Sequence, residues 1–535
     1  MTDLIIRNGL IYDGNGGVPY EGDIAVQDDR ILVLGKVDSV AHVEIDAGGM
    51  AVAPGFINMM CWANESLIHD GRSQSDIRQG VTLEVLGEGF SMGPLNDELK
   101  AYMKARQGDI QYEIEWTTLR EYLDYLVARG VSPNVSSFVG AGGIRANVLG
   151  FADRRPNEAE LAQMQALVRQ AMAEGAVGLS AALIYAPDSY ADTAELMALA
   201  SVAAEYDGLF TAHLRSEGAT FLEALDEFLA ILEETGVRGE IYHLKASGRN
   251  NWSKLDTAVT RVEEARAAGL AVTADMYTYH ASATGLDAMM PGWVQEGGHD
   301  AWVARLKDPD VRVRLRQEIA SSSPDWENSY AEAGSAENVL LVSFKNEALK
   351  PLTGKSLAEI SAIRGTDPIE TAMDMVIEDN SRVGTIFFSM SEDNVRRKIQ
   401  LPWVSFCSDS ASLAPEGLFL KSNPHPRAYG SFARLLGRYV RDEALIPLEE
   451  AVRRLTSLPA DNLRLDRRGR LQPGCFADIV VFDPATIRDH ATFAQPHQYA
   501  TGVHHVLVNG VPVLRDGEHT GATPGRVVSG PGGRR

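Results

Sequence analysis

The chain has 535 residues, of which 45% are hydrophobic and 23% charged, so it can bury a large core and is too long for one small module. Fifty basic and 73 acidic side chains give a formal charge of −23, which argues against a nucleic-acid binder and against docking on an anionic membrane. Three cysteines imply no disulfide framework. No stretch approaches the ~20 apolar residues that a membrane helix needs. We expect an acidic globular protein of the cytoplasm, and the sequence leaves homo-oligomerisation open.

The two ends of the chain share short strand-like runs. LIIRNGLIYDG and GDIAVQDDRILVLG lie near the start, and ADIVVFD, VHHVLVNG and VPVLRDGE follow residue 470. Gly and Asp stand at hairpin positions in both groups. Neither end has enough strands for a stable sheet of its own. The pattern therefore predicts one composite β-sandwich domain, built from residues 1–52 and 465–535.

Strands and helices alternate through the middle of the chain. Eight strand candidates are AVAPGFI (51–57), VTLEVL (81–86), VSSFV (135–139), VGLSAALI (177–184), GLFTAH (208–213), EIYH (240–243), LAVTAD (270–275) and WVSFC (403–407). Apolar residues at helical spacing mark amphipathic helices between several of them. Eight such units predict an α/β fold, a TIM-like (β/α)₈ barrel over residues 53–464. Residues 286–400 are surplus and are expected to form insertions at the barrel mouth.

Polar residues stand at the ends of five predicted strands. His213 closes GLFTAH, His243 closes EIYH, Asp275 closes LAVTAD, Glu88 follows VTLEVLG and Asp409 follows WVSFCS. The carboxyl ends of barrel strands face the active site, so two imidazoles and carboxylates from strands two and eight can converge on one divalent metal ion. Nitrogen and oxygen ligands favour zinc. Zinc acidifies bound water and polarises a carbonyl, which suits amide hydrolysis.

Each of these residues also has a structural interpretation. A single histidine at a strand end is more often a hydrogen-bonded structural residue, although His213 and His243 stand on consecutive strands. Glu88 could satisfy a turn in GEG, and Asp275 could cap the next helix. From the residues alone, both interpretations stay open.

An ordered set of motifs runs almost from end to end and carries a family resemblance. The matching text is LIIRNGLIYDGNG, APGFI, RQGVT, EVLGEGFSMGPL, GLSAALIYAPDSYADTAEL, AHLRSEG, YHLKASG, YTYHASATGL, PGWVQEGG, CSDS, HPRAYGSFARLLGRYVR and GCFADIVVFDP. In words and in spacing the chain resembles the amidohydrolase superfamily, in its D-aminoacylase (N-acyl-D-amino-acid deacylase) branch. The resemblance implies a (β/α)₈ barrel with a split β-sandwich, in agreement with the strand pattern.

The resemblance also implies roles for individual residues. It makes His213 and His243 metal ligands and Asp409 the general base that activates water and then protonates the leaving amine. The positions matching a grip on the substrate carboxylate are Lys245, Tyr277 and Arg427, and Tyr185 matches a tyrosine near the scissile carbonyl. A Lys and Arg pair suits a carboxylate, although both could also be solvated surface charges.

The sequence departs from the superfamily after the first barrel strand. An Asp-x-His-x-His signature is implied there, but Asn58, Met60 and Trp62 occupy the three positions. At the position where the best-known D-aminoacylases use cysteine, the chain has Glu88, a hard oxygen ligand. A thioether is a poor zinc ligand and an indole offers no lone pair. We therefore expect one divalent metal ion, with zinc favoured, held by Glu88, His213 and His243.

Three functional hypotheses follow. The leading one is a metal-dependent hydrolase of an amide bond in a small carboxylate-bearing substrate, such as an N-acyl-D-amino acid. The second keeps the metal barrel but changes the reaction to ester, carbamate or lyase-type cleavage of an aromatic substrate, with Trp62 lining the pocket. The third is a non-catalytic descendant that binds a ligand.

Overall fold

The computed structural model describes residues 2–321 and 326–534. Its first strands form hairpins and parallel pairs around a central β1, whose apolar side chains are buried. These strands are β1 (Thr2–Ile11), β2 (Tyr20–Gln27), β3 (Arg30–Gly35), β4 (Ala41–Asp46) and β5 (Ala51–Pro54).

The barrel strands follow, each short and fully or largely buried because helices cover the outer face. They are β6 (Phe56–Asn58), β7 (Val81–Leu86), β8 (Asn134–Ser137), β9 (Val139–Gly140), β10 (Gly178–Ala182), β11 (Leu209–His213), β12 (Arg238–Ile241) and β13 (Val272–Met276). The helices among them are α1 (Asn64–His69), α2 (Gln74–Ile77), α3 (Asp97–Arg106), α4 (Leu119–Arg129), α5 (Ala141–Leu149), α6 (Glu158–Ala173), α7 (Thr193–Glu205), α8 (Phe221–Thr235) and α9 (Lys254–Ala267). Strands β8 and β9 are consecutive pieces of one barrel strand, separated by Phe138.

A separate unit with its own hydrophobic core interrupts the barrel after β13. Its four-stranded sheet has the order β14-β17-β15-β16. The strands are β14 (Ser282–Gly285), β15 (Val339–Ser343), β16 (Lys355–Ser356) and β17 (Gly384–Phe387), and the helices are α10 (His299–Leu306), α11 (Pro309–Ile319), α12 (Ser329–Ala333), α13 (Leu357–Arg364) and α14 (Pro368–Asp379). We refer to residues 282–387 as the insertion. The sequence range of 286–400 given for the surplus stays a prediction.

Strand β18 (Val404–Phe406) returns to the barrel and pairs in parallel with β13. Backbone hydrogen bonds then join the last barrel segment to the first. Met59 N–H donates to Phe406 O over 3.4 Å, and Asp409 N–H donates to Met60 O over 3.1 Å. Trp62 N–H donates to Ser410 O over 2.8 Å. Eight parallel segments therefore close into the predicted (β/α)₈ barrel.

The chain ends in strands that return to the first sheet. Helices α15 (Glu392–Ile399), α16 (Arg427–Arg434), α17 (Leu448–Leu455) and α18 (Ser457–Asn462) precede β19 (Ile479–Phe482), β20 (Val503–Val508), β21 (Val511–Arg515) and β22 (Glu518–His519). Strand β19 pairs with β5, so both ends of the chain share one nine-stranded sheet, as the composite domain requires. The boundaries at 52 and 465 stay predictions. Over the described residues, no helix combines the length and the apolar character needed to cross a membrane.

Candidate metal centre and active-site cavity

Three side chains from β11 and from the turns after β7 and β12 meet at the mouth of the barrel. His213 is the last residue of β11. Glu88 follows β7 by two residues, after Gly87 with a φ of +96°. A Cβ on Gly87 would lie 2.4 Å from Phe138 O, so only glycine permits this turn. Local backbone geometry thus directs the Glu88 carboxylate towards the imidazoles.

His243 lies two residues beyond β12, whereas the sequence pattern predicted that it would close the strand. Its backbone has a φ of +33°, and its N–H donates to Asp275 Oδ1 over 2.7 Å. Asp275 therefore positions the His243 main chain, and the alternative in which it caps the next helix is wrong.

The three ligand candidates are close enough for one ion. Glu88 Oε1 lies 3.5 Å from His213 Nδ1 and 3.7 Å from His243 Nε2. Tetrahedral zinc with bonds of about 2.1 Å separates its ligand atoms by about 3.4 Å. Glu88 Oε1 is buried and has no hydrogen-bond partner among the described residues, which leaves it free to bind a cation. This donor set fits a divalent metal ion.

The carboxylates and imidazoles of the site attract one another, and this attraction shifts the pKa values of Glu88 and His243. Burial alone would raise the pKa of Glu88, but the neighbouring His213 and His243 imidazoles lower it to about 2. Burial and the Lys245 ammonium lower the pKa of His243, but Glu217 and Glu88 outweigh them and raise it to about 9. The carboxylates thus favour positive charge where a cation would sit.

Asp409 lies across the same cavity and is held through both carboxylate oxygens. Trp62 Nε1–H donates to Asp409 Oδ1 over 3.0 Å, and Arg427 Nη1 lies 2.7 Å from Asp409 Oδ2. From the sequence, Trp62 was expected only to line a pocket. Its contact with Asp409 spans 347 positions, so no local pattern reports it.

The predicted substrate-binding residues all have internal partners. Tyr185 Oη donates to Thr284 Oγ1 over 2.7 Å, and Tyr277 Oη contacts Met390 Sδ at 3.4 Å. Lys245 Nζ donates to Glu217 Oε1 over 2.6 Å.

Lys245 and Arg427 are not surface charges. Each is only 3% exposed, so the interpretation of these two residues as solvated charges is wrong. The Arg427 guanidinium lies 4.5 Å from the centre of the Tyr277 ring.

One cavity of about 680 Å³ brings together all eight predicted site residues. Beside them, part of the wall is apolar, formed by Phe90, Met103, Phe151, Ile184 and Trp302. The insertion supplies Trp302, Glu327 and Arg382, so it covers one side of the site. The cavity can hold a small molecule that has an apolar group and one polar end.

Two histidines that could have replaced the missing ligands lie elsewhere. His69 packs edge-on against Phe419, with ring centres 5.2 Å apart. His280 Nδ1 is 3.4 Å from Glu392 Oε2. Within the described ranges, neither belongs to a group of side chains that could bind a metal ion.

Sequence reasoning missed two further residues at the site. Glu217 contacts Lys245, His213 and His243. Its signal was its place in AHLRSEG, four residues after His213. His425 lines the cavity and accepts a hydrogen bond from Arg427 N–H through Nδ1 over 3.0 Å. The motif HPRAYGSF, which begins at His425, was the sequence feature that could have identified this residue.

Comparisons with known proteins agree with this architecture. The Amidohydrolase family model matches residues 105–514. D-aminoacylase of Alcaligenes xylosoxydans xylosoxydans is 32% identical over 532 residues, covering 98% of this chain and 97% of the relative.

Solved structures superpose over nearly the whole chain. The N-acyl-D-glutamate deacylase of Bordetella bronchiseptica, solved with zinc and a phosphonate mimic of the tetrahedral intermediate, gives a TM-score of 0.82 at 31% identity, covering 99% of each chain. A D-aminoacylase structure, described for its binuclear metal centre with one-metal activation and second-metal attenuation, gives 0.81 at 30% identity. It covers 99% of this chain and all of the other. The chain therefore belongs to the amidohydrolase family and is a metal-using enzyme.

Proposed function

We propose that this enzyme hydrolyses the amide bond of N-acyl-D-amino acids with one zinc ion bound to Glu88, His213 and His243. The observation that carries the proposal is the buried, unpartnered Glu88 Oε1 between two imidazole nitrogens. Three protein ligands with an open position are typical of catalytic zinc.

The side chains after the first strand support a single ion. Met60 is fully buried and offers only a thioether, and the Trp62 indole N–H is already donated to Asp409. Arg427 supplies a positive charge at the second oxygen of Asp409. Protein donors thus take up both oxygens of the carboxylate, so Asp409 is not needed as a metal ligand.

The chemistry divides between the ion and Asp409. When bound, zinc would polarise the scissile carbonyl and acidify water. Asp409 takes the proton of the attacking water as the oxygen–carbon bond forms. It then delivers that proton to the amide nitrogen as the carbon–nitrogen bond breaks, and the second water proton passes from the new carboxylic acid to the amine, so a carboxylate and an ammonium product leave. Trp62 and Arg427 hold the carboxylate in orientation for both transfers.

The charge of the cavity supports a substrate with a single carboxylate. Three cationic side chains line it against six acidic ones. Each cation already has a carboxylate partner: Lys245 at 2.6 Å, Arg382 at 2.7 Å and Arg427 at 2.7 Å. A guanidinium has five donors, so Arg427 can bind a substrate carboxylate while it still contacts Asp409.

The apolar wall of the cavity supports a substrate whose side chain or acyl group is apolar and carries no second charge. The D configuration rests on the relatives, because the D-aminoacylase and the N-acyl-D-glutamate deacylase are both named for D-substrates.

A substrate panel tests the proposal. Zinc-loaded enzyme is assayed for amine release from the N-acetyl-D and N-acetyl-L forms of leucine, phenylalanine, methionine, glutamate and aspartate. We expect turnover of the apolar D-forms, at least tenfold above the acidic D-forms and the L-forms. If no N-acyl amino acid is hydrolysed, the proposal is wrong.

A further inference from the structure

The Glu217 carboxylate lies between the two ligand histidines, on the side away from Glu88. Its Oε2 is 3.3 Å from His213 Nε2, and its Oε1 is 3.1 Å from His243 Nδ1. The opposite nitrogens, His213 Nδ1 and His243 Nε2, face Glu88 Oε1. Each imidazole is therefore placed between a proposed metal-binding carboxylate and Glu217, which is only 5% exposed.

We propose that Glu217 is a positioning residue that fixes both histidines in the metal-binding tautomer through one shared carboxylate. The inference rests on the proposed function, since it takes Glu88, His213 and His243 as the ligands. Outer carboxylates that hold ligand histidines commonly tune metal affinity. Here one carboxylate serves two histidines.

The tautomers of the two histidines decide whether Glu217 or Lys245 can accept their N–H groups. A metal ion needs the lone pair on the nitrogen that faces Glu88, so the proton of each ring must reside on the other nitrogen. Lys245 Nζ lies 2.6 Å from His243 Nδ1, but an ammonium group has no lone pair and cannot accept a hydrogen bond from Nδ1–H. Glu217 Oε1 can. In the metal-loaded enzyme His243 Nδ1–H therefore donates to Glu217. Lys245 then donates to Glu217 and not to His243.

Lys245 supplies the counter-charge that keeps Glu217 ionised in a buried place. Its Nζ is 2.6 Å from Glu217 Oε1, and a buried carboxylate without such a partner is costly. His213, Glu217 and Glu327 are also close enough to hold a cation. The ammonium already fills that need, so the geometry favours a protein cation over a second metal ion.

Zinc affinity, measured by competition with a chelator, tests the proposal. Glu217→Gln offers one acceptor oxygen where two imidazole N–H groups need two, so we expect zinc affinity to fall 10- to 100-fold. The double variant Glu217→Gln/Lys245→Met has no unpaired buried charge and covers the case in which the single variant does not fold. Lys245→Met alone retains both acceptor oxygens of Glu217 but removes its counter-charge, so we expect a smaller loss of zinc affinity than in Glu217→Gln.

A matched control and a spectrum separate positioning from general damage. Glu332 is half-buried and lies beside Gly218, the residue after Glu217, and we expect Glu332→Gln to bind zinc like wild type. The visible spectrum of the cobalt-loaded enzyme reports ligand geometry, and we expect it to change in both Glu217 variants and to stay unchanged in Glu332→Gln.

Three outcomes are decisive. Wild-type zinc affinity and an unchanged cobalt spectrum in the double variant would overturn the positioning role. Two zinc ions in wild type, one of them lost on Glu217→Gln, would make Glu217 a ligand and also overturn it. A zinc-loaded wild type that cleaves no N-acyl amino acid would refute the proposed function, while the affinity series would still test Glu217.

Discussion

Two edges of the barrel mouth contrast in how their polar groups are satisfied. At the edge of β7, β11 and β12, Glu88 Oε1 is buried and has no hydrogen-bond partner among the described residues. At the edge of β6, the polar side chains are bonded within the protein. Asn58 Nδ2 donates to Glu84 Oε2 over 3.0 Å and to Ser408 Oγ over 2.8 Å. We call these the ligand edge and the closed edge.

The contrast teaches how a binding site differs from a structural one. An unsatisfied buried polar atom costs about 1–3 kcal/mol, so it persists where another partner is expected to arrive. The closed edge has no such atom on Asn58, because its Oδ1 also accepts Ser408 N–H over 2.8 Å. The closed edge thus holds Asn58 in place through its own hydrogen bonds, and the ligand edge is the proposed metal site.

Breaking the ligand edge should have the largest effect. We expect close to one zinc per wild-type chain, and loss of that zinc in His213→Ala and in His243→Ala, with activity falling about 10³-fold or more. Elemental analysis and amide hydrolysis are the measurements. Met60→Leu at the closed edge is the control, with its zinc retained. Two equivalents in wild type, or zinc loss in Met60→Leu, would contradict the contrast.

Removing the base while leaving the ligand edge intact should come next. We expect Asp409→Asn to retain zinc and to lower kcat by about 10²–10⁴, because an amide cannot accept the proton of water. Steady-state kinetics and metal analysis on one preparation test this. Near-normal turnover would remove Asp409 from the mechanism.

A smaller effect should come from the indole at the closed edge. Trp62→Phe keeps an aromatic ring but removes the N–H that Asp409 Oδ1 accepts, so we expect kcat to fall about tenfold, in line with one lost hydrogen bond to a charged group. Metal content should be unchanged. An unaltered kcat, or a loss of zinc, would show that the indole does not orient the base.

The smallest effect concerns a buried lysine behind the ligand edge. Lys398 is 2% exposed and donates to Leu244 O over 2.6 Å, next to His243. Burial, with the Lys245 charge, lowers the pKa of Lys398 to about 7. The folded pKa is below the unfolded value, so the unfolded chain binds more protons above pH 7 and stability rises with pH there. The expected gain is about 1 kcal/mol between pH 7 and pH 8.

Urea unfolding at pH 6, 7, 8 and 9 measures this effect. Lys398→Met is matched in length and has no titrating group, so the difference between wild type and variant should grow with pH in favour of wild type. A difference that is flat across the four pH values would show that Lys398 does not titrate in this range.

Much of the fold could be predicted because its signal is local. The run VTLEVL is strand β7 over the predicted residues, and GLFTAH differs from β11 by one residue. Buried parallel strands are short, continuous apolar runs, and they alternate with amphipathic helices. The strand ends also indicated which polar residues would meet, because every parallel strand opens to the same face of a barrel.

What the sequence determined, then, is the barrel, the composite sheet and the polar residues that line the mouth. Only the tertiary structure decided how those residues pair. Trp62 reaches Asp409, and Glu217 spans two imidazoles, through contacts that depend on ring closure and on turns such as the one at His243. Such contacts join residues that are distant along the chain, and their angstrom-scale geometry follows from how strands and loops pack. No periodicity in the sequence encodes that packing.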